Sequence, residues 1–252
     1  MSIWGKLIGG GIGFAVGGPI GALVGAVAGH VVDRARESDA EEMDGAQAEG
    51  GRPAATRQIA FTIGVIALGA KMAKADGVVT KDEVRAFKDV FQIPENEVKN
   101  VARVFDQAKK EATGFEPYAR QIAGMFRDDP EVLEDLIAGL MHIARADNVV
   151  HENEIRFLKD VAGIFGLSDA DYRRLHATYL GPDMDDPYAV LGVSADISDD
   201  DLKKTYRDLI KKNHPDRAMA SGMPEEFVQV ATEKLSKINA AYDQIAKSRG
   251  LS

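Results

Sequence analysis

The sequence predicts an all-α protein with three parts: an N-terminal membrane helix, a helical bundle and a C-terminal helical hairpin. Apolar residues recur every three or four positions from about residue 57 onward, and no sustained strand-like alternation interrupts them. Residues 7–32 contain no Asp, Glu, Lys or Arg. A chain of 252 residues accommodates two small soluble domains and an anchor. We therefore expect an anchor at 1–34, a flexible linker at 35–56, the bundle at 57–181 and the hairpin at 182–252.

The uncharged N-terminal segment is long enough to cross a bilayer. As a helix rising about 1.5 Å per residue, residues 7–32 would extend about 39 Å, more than a hydrocarbon core of about 30 Å. Trp4 and Lys6 precede it, and Arg34 and Arg36 follow, as at membrane interfaces. Glycine occupies every fourth position: Gly9, Gly13, Gly17, Gly21, Gly25 and Gly29. Such a stripe lets two membrane helices approach closely, so we expect a homodimer through the membrane helix.

Basic residues around this segment favour a single-pass protein whose C-terminal domains are cytoplasmic. Four arginines follow the segment before residue 58, against only Lys6 before it. Three alternatives stay open. The segment could be a secretory signal whose cleavage site resembles residues 26–28, or a flexible glycine-rich tail. It could also be a membrane-associated hairpin bent at Gly18-Pro19.

The middle of the chain contains an internal repeat. Residues 38–56 have little apolar bulk and predict a flexible linker. The apolar run from residue 59 to residue 70 is too short to span a membrane and predicts a buried helix. Residues 73–84 (AKADGVVTKDEV) are echoed by residues 144–155 (ARADNVVHENEI). Each copy is predicted to end one helix, turn and open another.

Paired carboxylates in the two copies form a candidate site for a divalent metal. The candidate ligands are Asp76, Glu83, Asp147 and Glu154. The alternative is structural, because Asp-Gly and Asp-Asn are turn dipeptides and Thr80 with Glu83 forms a capping box. His151 replaces the capping Thr in the second copy, which weakens the capping account there. The spacing is not that of an EF-hand loop. His142, on an apolar helix face, is expected in the core rather than at a metal.

The last quarter of the chain predicts two helices joined by a short connection. Ser198 is a good N-cap for the first helix, and Pro215 disfavours helix at His214, so this helix ends there. The predicted buried stripe of the first helix is Leu202, Tyr206, Leu209 and Ile210. The predicted apolar seam of the second helix is Val228, Ala231, Leu235, Ile238, Tyr242 and Ile245. Packing the two helices together places His214-Pro215-Asp216 at the tip of the hairpin.

Three sequence signatures in this quarter resemble those of J-domains. They are residues 186–193 (DPYAVLGV), His214-Pro215-Asp216 and residues 237–242 (KINAAY). Without its flanking signatures, the tripeptide fits an ordinary turn between helices equally well. The resemblance implies a DnaK-type chaperone as partner, whose ATPase the J-domain stimulates. It also assigns partner binding to His214, Pro215 and Asp216 and to a basic helix face made of Lys203, Lys204, Arg207, Lys211 and Lys212.

The repeat in the middle resembles the TerB-like helical domain of tellurite-resistance proteins. TerB-like domains are suspected of binding divalent cations through their acids. Together the three parts resemble the DjlA-like family of membrane-anchored DnaJ co-chaperones. The N-terminal Trp4-Gly5-Lys6, Gly29-His30 and Asp33-Arg34-Ala35 also fit that family. The resemblance implies a location at a bacterial inner membrane.

Composition and motifs predict no enzyme. The chain has no Cys, which excludes thiol nucleophiles, thiolate metal sites and disulfides and suits a reducing cytoplasm. Neither an H-E-x-x-H pair nor a phosphate-binding G-x-x-x-x-G-K-[ST] loop is present, so no catalytic residue and no cofactor beyond the possible metal are expected. A net charge of −9 argues against nucleic acid as a partner.

Three functions fit these observations. The first is a membrane-tethered co-chaperone that concentrates chaperone activation at the membrane surface. The second is a stress-response scaffold whose TerB-like domain binds a divalent metal or a client protein. The third is a soluble J-protein that self-assembles through its glycine stripe. Membrane fractionation separates the first from the third, and titration of the middle domain with divalent cations tests the second.

Overall fold

The structure is a computed structural model that describes residues 17–23, 53–76, 80–91, 93–110, 114–181, 186–221, 223 and 225–251. Every regular element among these residues is a helix, so the predicted all-α class is confirmed. The helices are α1 (Pro53–Asp76), α2 (Lys81–Val90), α3 (Val98–Lys110), α4 (Glu116–Met125), α5 (Pro130–Ala144), α6 (Glu152–Ile164), α7 (Asp169–Tyr179), α8 (Pro187–Leu191), α9 (Asp199–Lys212), α10 (Pro215–Ala220) and α11 (Glu225–Arg249). A further short helical segment covers residues 18–23.

These residues form two compact units. The first is drawn from Met1–Lys74 and Ile93–Met125, and the second from Ala75–Gln92 and Phe126–Ser252. The predicted division at residue 181 falls at a gap in the described residues, and the second unit contains helices from both sides of it. The predicted linker lies mostly outside the described residues.

The first unit is built around α1. By length and composition, Arg57–Ala75 passes as a membrane span, with a mean hydropathy of 1.2, but 83% of this window is buried, as in the core helix of a soluble domain. The predicted buried helix is therefore confirmed, although α1 is longer than its apolar run. Gly64 permits the close packing of this helix, because a Cβ there would lie 2.8 Å from the Ile122 side chain.

Residues 17–23 lie against α4 within the first unit. The Gln121 side chain accepts a hydrogen bond from the Ile20 N–H at 3.0 Å and donates one to the Gly17 carbonyl at 3.0 Å. Ile20 and Leu23 are fully buried. The rest of the predicted membrane helix lies outside the described residues, as do Gly9, Gly13, Gly25 and Gly29 of the stripe.

The backbone at Gly17 and Gly18 departs from the predicted continuous helix. Their φ angles are 52° and 64°, in the left-handed region that favours glycine. Right-handed helical geometry is therefore not kept at Gly17 and Gly18. The break adjoins Gly18-Pro19, where the hairpin alternative places its bend. Of the two described stripe glycines, Gly21 is buried and Gly17 is exposed, so they do not share one environment.

The second unit is centred on α5, which is buried along almost its whole length and packs against α2, α6, α7 and α11. His142 is the exception, because it is exposed on α5. The prediction that His142 belongs to the core was therefore wrong. The apolar residues around it suggested burial, but the four helices that pack on α5 leave this one position open to solvent.

The C-terminal hairpin has its own small core in the second unit. Helices α8, α9 and α11 contribute Val190, Leu191, Leu202, Ile238, Ala241 and Ile245 to it. The predicted stripe is confirmed in part: Leu202 is buried, and Tyr206 and Leu209 pack against this core. Ile210 is only partly buried. Tyr206 stacks on Tyr242 with ring centroids 3.8 Å apart.

The N-terminal half of α11 buries a broader face than the predicted seam. Ala231 of the seam is buried and Val228 and Leu235 are partly buried, while Phe227, Val230 and Lys234, which lie off the seam, are buried as well. The reason is that this half packs on α5 and α2 rather than on α9. Phe227 stacks on Phe91, which follows α2, with ring centroids 5.4 Å apart.

Candidate functional site

Helix α9 carries the predicted basic face and has well-formed ends. The Ser198 hydroxyl accepts a hydrogen bond from the Asp201 N–H at 3.2 Å, which caps the first turn beside three acidic residues. The helix stops at Asn213, as predicted from Pro215. Lys204, Arg207 and Lys211 are exposed, whereas Lys203 and Lys212 are partly buried.

The tripeptide His214-Pro215-Asp216 does not lie in a bare loop but starts α10. His214 is the N-cap of that helix, with φ −71° and ψ 130°, and its Nδ1 accepts a hydrogen bond from the Asp216 N–H at 3.3 Å. Pro215 occupies the first helical position, where its missing N–H leaves no unsatisfied donor. The side chains of His214 and Asp216 are 49% and 75% exposed. Local capping therefore fixes the tripeptide and leaves both polar side chains in solvent.

Lys212 differs from the other four members of the basic face, because it faces the rest of the second unit. It forms a close ion pair with Glu134 of α5 and lies 3.7 Å from Asp171 of α7. Its side chain is 33% exposed, against 3% for Glu134. One of the five predicted partner-binding cations is thus already paired within the chain.

Glu134 belongs to a buried cluster of charges between α5, α7 and α11. Arg174 donates to Glu134 at 2.8 Å, and Lys234 Nζ lies 2.6 Å from Asp135 and 3.5 Å from Glu134. The side chains of these four residues are at most 5% exposed. A charge buried this deeply requires partners, so the four residues fix one another in place.

The two acids of this cluster titrate in opposite directions. Burial works to raise the pKa of Glu134, but the charges of Lys234, Arg174 and Lys212 outweigh it and hold that pKa below its usual value. Burial raises the pKa of Asp135 despite its pairing with Lys234. Glu134 therefore contributes stability that is lost as the pH falls through its lowered pKa. Asp135 has the opposite effect on stability. Because its pKa is raised in the folded chain, its ionisation lowers the stability of the fold as the pH rises.

A shallow cleft separates the tripeptide from the N-terminal end of α5. It is lined by Glu131, Val132, Asp135, Lys212, Asn213, His214, Arg217, Ala218 and Ser221. Two contacts cross it: the Ser221 hydroxyl donates to Asp129 at 2.6 Å, and Arg217 lies 3.2 Å from Glu131. The predicted tip of the hairpin is therefore flanked by α5 on one side and open on the other.

The candidate metal ligands have local structural roles where the structure describes their side chains. A carboxylate oxygen of Glu83 accepts from the Thr80 N–H at 2.7 Å, and the Thr80 hydroxyl accepts from the Glu83 N–H at 3.1 Å, which completes the predicted capping box. Glu154 accepts from the His151 N–H at 3.0 Å, so the second copy keeps this half of the box despite its histidine. Asp147 closes a turn by accepting from the Val149 N–H at 3.0 Å.

In the part of the chain that the structure describes, these acids do not come together as a metal site. No group of three or more His, Cys, Asp or Glu side chains there is placed so that it could hold a metal ion. The side chain of Asp76 lies outside this part. The possibility that the TerB-like region binds a divalent metal stays a prediction.

The buried charge cluster is the feature that sequence reasoning missed. One signal for it was present: Glu134 and Asp135 are adjacent acids within the otherwise apolar run of α5. Lys234 similarly interrupts the apolar positions of α11. Acids and bases at core positions of different helices indicate pairing, since an isolated buried charge is too costly. Which acid meets which base was not readable from spacing, because the partners are far apart in the chain.

Three family models match successive parts of this chain. Residues 1–39 match the Co-chaperone DjlA transmembrane domain, residues 62–177 match Tellurite resistance protein TerB, and residues 186–249 match the DnaJ domain. The three follow one another in the order predicted from the sequence.

Curated relatives match over the whole chain. A protein of Shewanella oneidensis named Co-chaperone protein DjlA is 30% identical over 100% of both chains. A protein of the same name from Vibrio cholerae is 29% identical over 100% of both chains. Another, from Photobacterium profundum, is 29% identical over 98% of this chain and 99% of the relative. In the comparison with solved structures, none matches this chain significantly.

Proposed function

Because this chain belongs to the DjlA family of co-chaperones, we propose that its J-domain binds a DnaK-type chaperone and stimulates ATP hydrolysis by that partner. The observation that carries the proposal is the presentation of His214-Pro215-Asp216. The tripeptide is held by capping at the start of α10, with the His214 and Asp216 side chains in solvent. Exposed side chains that the core does not need are available to a partner.

The basic face of α9 supports the same proposal. Lys204, Arg207 and Lys211 are exposed on the helix that leads directly into the tripeptide. Exposed cations at the rim of an interface accelerate association with an acidic partner, and salt screens this effect. The chain as a whole is acidic, at a net charge of −9, so the basic face of α9 is a local exception. An acidic partner would therefore approach the protein in the orientation that faces α9.

Charge reversal on this face provides the test. Arg207→Glu is expected to raise the DnaK concentration for half-maximal ATPase stimulation about tenfold at low salt, with a smaller effect at high salt, because a rim charge acts mainly on association rate. Steady-state ATPase assays with the full chain at several salt concentrations measure this. The matched control is Lys247→Glu, the same kind of charge reversal at an exposed position near the end of α11. Equal effects of the two variants would show that net charge, not the α9 face, is involved.

The membrane anchor gives the co-chaperone its location. The N-terminal region matches a transmembrane domain, and we place it in the bacterial inner membrane as a single pass with the C-terminal domains in the cytoplasm. The four arginines after the segment support this orientation. The glycine stripe supports association of two such segments into a homodimer. The break at Gly17 and Gly18 supports the competing hairpin, which returns the N-terminus to the cytoplasmic side.

Labelling of the N-terminus distinguishes the two topologies. The chain has no Cys, so Ser2→Cys introduces a unique thiol. In intact spheroplasts, a membrane-impermeant maleimide should label this thiol in the single-pass topology, because residue 2 is then outside the cell membrane. Ser248→Cys, on α11, serves as the matched control and should be labelled only after lysis. Protection of residue 2 until lysis would establish the hairpin instead.

A further inference from the structure

The end of the J-domain that bears the tripeptide is held by acids of the preceding helices. Four of them form what we call the acidic clamp: Asp129, Glu131, Glu134 and Asp171. Asp129 accepts from Ser221 after α10, and Glu131 pairs with Arg217 within α10. Glu134 and Asp171 surround Lys212 at the end of α9. The clamp thus contacts the chain on both sides of His214-Pro215-Asp216.

The clamp engages a residue that the proposed function also requires. Lys212 is part of the basic face proposed to meet an acidic surface of DnaK, and it cannot pair with Glu134 and with that surface at once. Carboxylates of the clamp therefore occupy a position that carboxylates of the partner would take. Competition of this kind weakens the binding of DnaK. The apparent Kd equals the intrinsic Kd divided by the fraction of molecules in which the site is open.

The contacts of the clamp differ in how far they are buried, so the outer contacts can separate without the inner ones. Lys234, Arg174, Glu134 and Asp135 are buried and hold α7 and α11 on α5. The outer contacts are more open: Arg217 is 49% exposed in its pair with Glu131, and Lys212 is 33% exposed. Partly exposed pairs contribute little stability each, so they can open while the buried cluster stays closed.

We propose that the acidic clamp is autoinhibitory, and that the chaperone must displace its outer contacts to bind the J-domain. This inference rests on the proposed function and adds a regulatory role for the TerB-like helices. The clamp holds Lys212 and Arg217 on either side of the tripeptide, so any event that draws α5 away from α9 and α10, or α7 away from α9, frees these cations for the partner and increases activity at the membrane.

A reducible cross-link tests the closed state. The chain has no Cys, so Asp129→Cys with Ser221→Cys introduces two thiols at side chains that lie 2.6 Å apart. A short bifunctional methanethiosulfonate should join them in the full-length protein. The cross-linked protein is expected to stimulate DnaK ATPase at least tenfold less than the same protein after reduction. Each single-cysteine variant, treated with the same reagent, controls for modification alone.

An opening variant excludes simple obstruction by the cross-linker. Glu131→Lys repels Arg217 and should lower the DnaK concentration for half-maximal stimulation several-fold, with circular dichroism unchanged. Asp160→Lys, the same type of charge reversal at an exposed position of α6, should leave it unchanged. Failure to cross-link, equal stimulation by cross-linked and reduced protein, or no gain with Glu131→Lys would each overturn the clamp. Efficient cross-linking without stimulation by either form would instead contradict the proposed function itself.

Discussion

Replacing His214 with Gln is expected to abolish stimulation of a DnaK-type ATPase while leaving the helical content of the protein unchanged. His214 is half exposed, and its contacts are local: Nδ1 accepts a hydrogen bond from the Asp216 N–H and lies 3.5 Å from the Asp216 carboxylate. The loss of one N-cap costs about 1 kcal/mol, which is too little to unfold the J-domain. Steady-state ATPase measurements with the full chain, together with circular dichroism, separate the two effects.

The matched control for this variant is His142→Gln. His142 is exposed on α5 and contributes to neither the tripeptide nor the basic face. This variant should stimulate DnaK as the natural chain does. Stimulation by the His214 variant at the level of the His142 variant would remove the assignment of partner binding to His214. A loss of helicity specific to the His214 variant would show that its role is structural.

Replacing Lys234 with Ala is expected to destabilise the protein by about 3–5 kcal/mol, because it leaves buried acids without their cation. Lys234 is 1% exposed and lies within 3.5 Å of both Glu134 and Asp135. Arg174 and Lys212 still pair with Glu134, so Asp135 carries most of the penalty. Urea denaturation followed by circular dichroism measures the change in unfolding free energy.

A second variant distinguishes the charge from the packing of this side chain. In Lys234→Met with Asp135→Leu, both members of the closest pair become apolar, and most of the lost stability should return, since well-packed apolar groups replace buried ion pairs at little cost. Lys247→Ala, at an exposed position of the same helix, should change the unfolding free energy by less than about 0.5 kcal/mol. A loss below about 1 kcal/mol for Lys234→Ala would show that solvent reaches the cluster.

Local chemistry explains why much of this protein was predictable. Ser198, Thr80 with Glu83, and Pro215 act on backbone groups within a few residues of themselves, and the structure places each of them at the helix end that its residue type predicts. The signatures around residues 186–193, 214–216 and 237–242 are likewise local, and the matches to the TerB, DnaJ and DjlA transmembrane families confirm the resemblance that they carry.

Features that depend on more than one helix were not predictable in this way. His142 is exposed, against the expectation from the apolar residues around it, and Lys234 is buried although lysine is usually exposed. The periodicity of α11 indicated one apolar seam, yet the helix buries one face on α9 through Ile238 and Ile245 and another on α5 through Phe227. Periodicity measures how apolar each face is and carries no information about which helix covers it.

The amino-acid order alone specifies the all-α class, the order of the three family regions and the helix ends that position His214-Pro215-Asp216. These features follow from capping, proline geometry and apolar spacing, which act over a few residues. Three features came from the packing of the helices: Lys212 faces Glu134 and Asp171, Lys234 is buried against Asp135, and α5 flanks the tripeptide. These contacts join residues distant in the chain, and their energy depends on burial and on the distance between charges, which exist only once the helices have packed.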